Sequence, residues 1–175
     1  MKKNIVITGK PGCGKTTLIR EICRRYADRV GGFFTDEVRI GSARDSFVLK
    51  TLDGRQGLLA KKGMASAVKL NKYGVDLAVL ETIGIGALRG AMDEGKIVII
   101  DELGTLEMLS APFRAAVADC LNGPCRVCAS IRYNAQPFTD EIRHMDDTEL
   151  LQLSRDNAAQ VRAVIEGWIN DTDNA

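Results

Sequence analysis

The sequence contains few of the residues and runs that mark metal-rich, membrane or secreted proteins. There is one histidine in 175 residues, so Cys125 and Cys128, although spaced like metal ligands, have no second pair to complete a zinc site. No apolar run approaches the ~18 residues of a membrane-spanning helix. The apolar stretch after the first lysines meets Gly9 and Lys10 too early to be the core of a signal peptide. We therefore expect a cytoplasmic chain without membrane partners.

An excess of charge of one sign is also missing. The 24 lysines and arginines balance 23 aspartates and glutamates, which leaves a net charge of +1. Proteins that bind nucleic acid or anionic membranes by charge carry a basic surplus, so we do not expect either as a partner. The five cysteines are odd in number and do not resemble a disulfide framework, which agrees with a reducing compartment.

What the sequence does contain is the composition of a globular protein, with 45% hydrophobic and 27% charged residues. A chain of this length is most simply one domain, so we assign residues 1–175 to a single domain. Residues 31–62 are rich in strand-forming residues and include the turn signal Asp53-Gly54, which predicts an antiparallel insertion or extension. The polar tail, residues 170–175, is expected to fray.

Strand and helix patterns alternate along the rest of the chain. Short apolar runs predict buried strands at residues 4–8, 96–101, 126–131 and 148–153. Helical patterns follow at residues 16–27, 75–94, 111–121 and, after a cap at Ser154, up to the tail. This alternation predicts an α/β fold in which helices flank a mainly parallel sheet. Such sheets bind ligands beyond the carboxyl ends of their strands.

Residues 9–16, GKPGCGKT, match the phosphate-binding loop G-x-x-x-x-G-K-[ST] at every fixed position. The required context is also present, because a predicted strand precedes the loop and a predicted helix follows it. Glycines let backbone N–H groups turn toward phosphate oxygens, and the helix start adds its positive dipole end. Lys15 is predicted to reach the β- and γ-phosphates, and Thr16 to bind Mg²⁺ through its hydroxyl. The predicted fold is therefore that of a P-loop NTPase.

An acidic pair ends the second predicted strand. Asp101 occupies the position of a Walker-B acid, which would hold Mg²⁺ through water. Glu102 follows at once and is placed to polarise an attacking water. Residues 101–104 also have the form D-x-x-G, in which the glycine N–H can sense a γ-phosphate. Lys15 and Glu102 are therefore the predicted catalytic residues, and Thr16 and Asp101 the predicted Mg²⁺ ligands.

A guanine-reading motif is incomplete in this chain. Residues 71–74, NKYG, approach the N-K-x-D pattern, but Gly74 stands where the aspartate belongs. Guanine selectivity is therefore not supported, and we expect little discrimination among bases.

Several segments occur in the order of a known family and cover most of the chain to about Phe113: GKPGCGKTTLI, GFFTDEVR, TLDG, KYGVDL and IDELGTLEM. With them the chain resembles the small P-loop nucleoside-triphosphatases that include cancer-related nucleoside-triphosphatase. The resemblance implies slow, Mg²⁺-dependent hydrolysis of ATP, GTP, CTP and UTP to the diphosphate and phosphate. It also implies a P-loop fold with an added β-strand region.

The same resemblance carries nucleotide-binding residues onto this chain, and it matches Glu107 to a further acid of the second segment. The two implied segments consist of Gly9, Lys10, Pro11, Gly12, Cys13, Gly14, Lys15, Thr16 and Thr17, and of Val98, Ile99, Ile100, Asp101, Glu102, Leu103, Gly104 and Thr105. The chain departs from the family at Asn71, Thr105 and Ser154, where glycine, lysine and asparagine are usual.

Two other functions share this loop and chain length. A small-molecule or nucleoside kinase would need an acceptor pocket, for which residues 31–73 are the candidate region, and a basic lid, which the sequence does not contain. A nucleotide-gated switch would instead act on a protein partner. In each case an arginine can complete the site, and the candidates are Arg39, Arg44, Arg132 and Arg155.

Overall fold

A computed structural model describes residues 1–134 and 136–171. In this part of the chain, strands β1 to β9 lie at Asn4–Thr8, Val30–Ile40, Ala43–Thr51, Gln56–Lys62, Val68–Leu70, Tyr73–Val75, Ile97–Leu103, Val127–Ile131 and Thr148–Gln152. Helices α1 to α5 lie at Lys15–Arg25, Ile85–Asp93, Ala111–Asn122, Pro137–Arg143 and Ala158–Asn170. A π-helical turn at Val79–Gly84 leads into α2, and a 3₁₀ turn at Glu107–Leu109 precedes α3.

The nine strands form one sheet in the order β5-β6-β4-β3-β2-β7-β8-β1-β9. The half from β2 to β9 is parallel, and β8 lies between β1 and β7. Because parallel strands end at the same edge of a sheet, this order brings the carboxyl ends of β1, β8 and β7 side by side. The predicted α/β fold, with helices flanking a parallel sheet and an antiparallel addition, is confirmed.

The helices cover both faces of the parallel half. Successive side chains of a strand point to opposite faces, so Ile5 and Ile7 of β1 face one core while Val6 faces the other. On the first face, α1 and α5 pack their apolar sides, including the fully buried Trp168, against the sheet. On the second face, α2 and α3 pack around Phe113. Burial on both sides explains why these strands read as continuous apolar runs.

Strand β2 joins the parallel half to the antiparallel half. Its first residues pair with β7 as far as Phe34 and Asp101, and its residues from Phe33 to Ile40 pair with β3. The antiparallel half continues through β4, β6 and β5, so it reaches Val75 and is longer than the predicted residues 31–62. Strands β5 and β6 have three residues each, which is too short for an alternating pattern to be recognised in the sequence.

Two local predictions for the helices were wrong. Ser154 does not cap α5, because the helix begins four residues later, at Ala158, and Asn157 occupies the N-cap position. The Asn157 side chain instead closes the loop after β9: Oδ1 accepts a hydrogen bond from the Ser154 backbone at 2.8 Å, and Nδ2 donates to the Gln152 carbonyl at 2.9 Å. The predicted helix at residues 75–94 is shorter, since Val75 belongs to β6 and helical structure starts at Val79.

The predicted frayed tail lies largely outside the described residues. Asn170 is the last residue of α5, and residues 172–175 are not described. Within residues 1–134 and 136–171, no helix has both the length and the apolar character needed to cross a bilayer.

Candidate functional site

The phosphate-loop segment connects β1 to α1 at the edge where β1, β8 and β7 end. Gly12 and Gly14 have φ angles of 76° and 104°, which only glycine adopts without strain. Gly14 is also the residue from which α1 starts, so the amides of the first helical turn face the loop. The sequence therefore forms a cradle of backbone N–H groups at a helix N-terminus, which is an arrangement that binds phosphate.

Lys15 lies inside this cradle and is 9% exposed. Its Nζ donates a hydrogen bond to the Gly9 carbonyl at 3.1 Å and lies 3.4 Å from Glu102 Oε2. The two bonds hold the ammonium between the start of the loop and the acidic pair that ends β7. Lys15 and Glu102, predicted from separate motifs, are thus brought together by the fold.

Asp101 is almost completely buried at the end of β7, with 1% of its surface exposed. Burial raises the pKa of this carboxyl, while the hydroxyls of Ser130 and Thr16 and the charge of Lys15 lower it. The Ser130 hydroxyl donates to Asp101 Oδ1. Among the described residues, Asp101 Oδ2 has no hydrogen-bond partner, which is a costly state for a buried carboxylate oxygen. The Asp101 carboxylate therefore has one oxygen fixed and one oxygen available for a further ligand.

Thr16 and Asp101 fit the predicted Mg²⁺ site. The Thr16 hydroxyl lies near the Asp101 carboxylate without forming a regular hydrogen bond to it. Magnesium is bound in such sites by one or two protein oxygens, together with waters and substrate phosphates. In the part of the chain that the structure describes, no three His, Cys, Asp or Glu side chains form a metal cage. The donor set is therefore of the kind that is completed by a nucleotide.

Glu107 is buried behind the loop that follows β7. Its Oε2 accepts a hydrogen bond from the Gly104 backbone N–H at 3.1 Å, and its Oε1 accepts one from the Thr35 hydroxyl at 3.2 Å. Burial raises the pKa of Glu107 to about 7, and the charge of Glu102 adds to the effect. Gly104 is the glycine of the D-x-x-G segment, so Glu107 fixes this segment to β2.

Three cavities surround the phosphate loop. The phosphate cavity, about 480 Å³, is lined by Gly9, Pro11, Gly12, Gly14, Lys15, Thr16, Thr17, Glu37, Arg44, Glu102, Arg132, Tyr133 and Asn134. The side cavity, about 440 Å³, lies toward the antiparallel half and is lined by Thr16, Thr35, Glu37, Arg44, Phe47, Leu70, Asn71, Tyr73, Glu102, Gly104, Thr105, Leu106, Glu107 and Arg132. The outer cavity, about 460 Å³, is lined by Lys10, Pro11, Gly12, Cys13, Gln152, Leu153, Ser154 and Arg155.

The predicted nucleotide-binding residues divide between cavity walls and scaffold. Most of the loop lines the phosphate cavity, whereas Lys10 and Cys13 line the outer cavity. Residues 98–100 are completely buried in β7 and line none of the three cavities. They place Asp101 and Glu102 at the end of the strand. Residues 98–100 can therefore affect nucleotide binding only through the position of these two acids.

The four candidate arginines lie in different places. Arg132 follows β8, lines both the phosphate and side cavities, and donates from Nη1 to the Thr105 hydroxyl. Arg44 lines the same two cavities and pairs with Glu37 at 2.5 Å. Arg39 also pairs with Glu37, at 2.6 Å, but lines neither cavity. Arg155 lines the outer cavity. The geometry therefore favours Arg132 and Arg44 as neighbours of a bound phosphate.

Ser130 and Thr35 are site residues that sequence reasoning missed. Each reaches the acidic segment because its strand is a direct neighbour of β7. A serine or threonine inside a strand carries no motif of its own, and strand order cannot be taken from the sequence. The one available signal was the polar Ser130 within the otherwise apolar run of β8.

Comparison with known proteins assigns this chain to a family. A sequence model described as NTPase matches residues 4–165 of the chain. The chain belongs to this NTPase family. Nucleoside-triphosphatase THEP1 of Thermotoga maritima is 39% identical over 153 residues, which cover 87% of each protein. The cancer-related nucleoside-triphosphatase homolog of Bos taurus is 32% identical over 173 residues, 90% of this chain and 91% of the relative. The resemblance predicted from the sequence is confirmed.

Solved structures agree with the family assignment. The crystal structure of THEP1 from the hyperthermophile Aquifex aeolicus superposes with a TM-score of 0.87 at 33% identity, covering 95% of this chain and 99% of the other. The solution structure of a human cancer-related nucleoside triphosphatase gives a TM-score of 0.82 at 28% identity, with 97% and 98% covered. The fold of the NTPase family therefore extends over nearly the whole chain, including its antiparallel half.

Proposed function

We propose that this NTPase-family chain is a hydrolase that converts nucleoside triphosphates, ATP, GTP, CTP and UTP among them, to the diphosphate and phosphate, slowly and with Mg²⁺ as cofactor. The observation that carries the proposal is the meeting of Lys15 and Glu102 across 3.4 Å at a phosphate-loop cavity, with Thr16 and Asp101 beside them. The names of the relatives as nucleoside-triphosphatases support it.

Binding of the triphosphate is assigned to the loop. Backbone N–H groups of residues 12–17 surround the β- and γ-phosphates, and Lys15 Nζ binds their oxygens in competition with Glu102. The Thr16 hydroxyl and, through water, Asp101 would hold Mg²⁺, which would supply positive charge to neutralise the triphosphate. Ser130 fixes one Asp101 oxygen, and among the described residues the other has no hydrogen-bond partner, so it is available to a metal-bound water.

The reaction is assigned to Glu102. Its side chain is 36% exposed and lines the phosphate cavity, so a water can lie between it and the γ-phosphorus. Glu102 accepts a proton as the water oxygen forms a bond to phosphorus, and the bond from phosphorus to the bridging β-phosphate oxygen breaks. The electron pair stays with the diphosphate, and phosphate is the second product. Arg132 or Arg44 would stabilise the charge on the transferred group.

Low base selectivity follows from where the strong contacts lie. The loop, Lys15 and the acidic pair all recognise phosphate, and phosphate is the same in every nucleoside triphosphate. The outer cavity beside the loop offers Arg155 and Gln152 as neighbours of a base, but it has no paired donor and acceptor set like that of the N-K-x-D motif.

The test is phosphate release from ATP, GTP, CTP and UTP, each with and without Mg²⁺. We expect release from all four with Mg²⁺ and almost none without it. Lys15→Ala is the matched negative control, with folding checked by circular dichroism. Release that is equal without Mg²⁺, or equal in folded Lys15→Ala protein, would overturn the proposal.

A further inference from the structure

Arg132 lines the phosphate cavity without a carboxylate partner. The other two cations of that lining are paired, Arg44 with Glu37 at 2.5 Å and Lys15 with Glu102 at 3.4 Å. Among the described residues, no carboxylate lies within ion-pair distance of Arg132. A guanidinium in this state can bind phosphate oxygens through two N–H groups at once.

The backbone of Arg132 is fixed by its neighbours. Its N–H donates a hydrogen bond to the Leu103 carbonyl at the end of β7, at 3.4 Å. The Arg143 guanidinium, from α4, donates to the carbonyls of Arg132 and Tyr133, the latter at 3.2 Å. The side chain of Arg132 therefore starts from a fixed point, and its own torsions decide where the guanidinium lies. Arginine has many such torsional states, so holding one of them requires further contacts.

Thr105 and Gly104 supply these contacts. The Thr105 hydroxyl accepts a hydrogen bond from Arg132 Nη1. The stem of the arginine passes over Gly104, since a Cβ built on this glycine would lie 3.5 Å from Arg132 Cδ and 3.5 Å from Glu102 Oε1. Arg132 is thus held next to Glu102, the proposed base.

The Thr105 hydroxyl holds Arg132 from outside the phosphate cavity. Thr105 lines the side cavity alone, whereas Arg132 lines both cavities. Gln136 Nε2 also donates to this hydroxyl, at 3.2 Å, and the oxygen has the two lone pairs that the two donors need. In the part of the chain that the structure describes, the other guanidinium N–H groups of Arg132 have no acceptor. They remain available to a phosphate.

We propose that Thr105 is a positioning residue for hydrolysis, because its hydroxyl directs Arg132 toward the γ-phosphate. The inference rests on the proposed function, since the charge that Arg132 meets develops as the γ-phosphoryl group passes to water. A donor that is already in place stabilises this charge without rearranging during the reaction. Thr105 acts through Arg132 and does not contact the reacting atoms. Its loss should therefore lower kcat and leave KM almost unchanged.

Three substitutions isolate the hydroxyl. Thr105→Val keeps the shape of the side chain and removes the acceptor, so kcat should fall by about tenfold, as for loss of one hydrogen bond. Thr105→Ser keeps the hydroxyl and should retain a rate close to wild type. Thr82→Val is the matched control, because Thr82 is exposed and lines none of the three cavities. Thermal unfolding followed by circular dichroism checks that all three variants fold.

A double variant tests whether Thr105 acts through Arg132. In the Arg132→Ala background, Thr105→Val should cause no further loss, because the donor that it positions is gone. One readout is single-turnover hydrolysis of ATP with Mg²⁺. The other needs no turnover: fluorescent ADP is bound with and without aluminium fluoride, which stands in for the γ-phosphoryl group during transfer. Aluminium fluoride should tighten ADP binding about tenfold less in Thr105→Val than in wild type, whereas ADP alone should bind both equally.

The outcomes separate this inference from the proposed function. Equal losses from Thr105→Val with and without Arg132 would overturn the inference, because the effect would not pass through the arginine. So would wild-type kinetics in Thr105→Val, an equal loss in Thr105→Ser, or a raised KM with unchanged kcat. An unchanged kcat in Arg132→Ala would also overturn it and leave hydrolysis standing. A wild-type protein that releases no phosphate from any of the four triphosphates would overturn the proposed function, and the positioning role with it.

Discussion

Lys15 Nζ lies 3.4 Å from Glu102 Oε2, so the cation of the phosphate loop is paired with the carboxylate proposed as the base. Lys15 also donates to the Gly9 carbonyl, which leaves it one further ammonium proton for a phosphate oxygen. A bound γ-phosphate would compete with Glu102 for this lysine. Nucleotide binding and the release of Glu102 toward water are therefore expected to be linked.

The first prediction concerns Lys15 itself. Lys15→Ala should abolish turnover and weaken triphosphate binding, since the ammonium would contact both the β- and γ-phosphates. The fold should survive, because Lys15 makes one hydrogen bond and one ion pair and is not part of the apolar core. Phosphate release, fluorescent-nucleotide binding and circular dichroism measure the three effects. Lys62→Ala, an exposed lysine of β4, is the charge control. A folded Lys15→Ala protein that turns over normally would contradict the site.

The second prediction separates binding from chemistry at the acidic pair. Glu102→Gln keeps the size of the side chain and removes the base, so turnover should fall by about 10²–10⁴-fold. Nucleotide affinity should change little, because proton transfer matters only in the transition state. Asp101→Asn should instead weaken both binding and rate. Single-turnover hydrolysis and nucleotide binding, measured on both variants, decide between the roles. Equal loss of binding in the two variants would assign Glu102 to the metal site.

The third prediction tests which arginine serves the transferred phosphate. Arg132→Ala should lower kcat by about 10²–10³-fold, the usual cost of removing one donor to a developing negative charge. Arg39→Ala is the matched control, since Arg39 lines neither the phosphate nor the side cavity. Steady-state kinetics with ATP give the comparison. A similar kcat in both variants would leave Arg44 as the remaining neighbour of the phosphate cavity.

The fourth prediction is that the bases are poorly distinguished. The strong contacts are to phosphate, so values of kcat/KM for ATP, GTP, CTP and UTP should differ by less than about 100-fold, or under about 3 kcal/mol of transition-state binding. Side-by-side kinetics with the four triphosphates measure the range. A preference of about 10⁴-fold for one base would require a base pocket with specific hydrogen bonds.

The parts of the site that the sequence predicts are those formed by residues close together in the chain. The phosphate loop is a local structure, so its spacing fixes Lys15 and Thr16. Asp101 and Glu102 are recognisable because they end an apolar strand. Ser130 and Thr35 were missed because they reach the acidic segment only through the strand order β2-β7-β8. That order depends on pairing between distant segments, which a single sequence does not specify.

The fold shows the same division between local and distant information. The long apolar strands and the hairpin at Asp53-Gly54 were predictable, because burial and turn chemistry leave local patterns. Helix α4 has seven residues, and strands β5 and β6 have three, so none of them completes a recognisable period. The error at Ser154 has another cause: both serine and Asn157 are good N-cap residues, and packing decides between them.

The last prediction concerns the protonation of Glu107. The pKa of this buried carboxyl is raised from 4.5 to about 7, chiefly by burial. Between these two values the folded protein binds more protons than the unfolded chain, so stability should decrease as the pH rises through this window. The shift of about 2.5 units corresponds to at most about 3 kcal/mol. Ionised Glu107 would also repel Glu102. This loss of folding stability should therefore be fully present above about pH 7.

Glu107→Gln isolates this contribution. The glutamine oxygen can accept from the Gly104 N–H, and its amide can donate to the Thr35 hydroxyl, so both contacts of Glu107 have a neutral equivalent. Urea unfolding at pH 5 and pH 8 measures the free energy of unfolding of both proteins. Relative to wild type, the variant should gain stability at pH 8 compared with pH 5, by up to about 3 kcal/mol. Glu141→Gln, an exposed change on α4, is the control for loss of charge. Parallel pH profiles for wild type and Glu107→Gln would show that Glu107 ionises alike in the folded and unfolded chains.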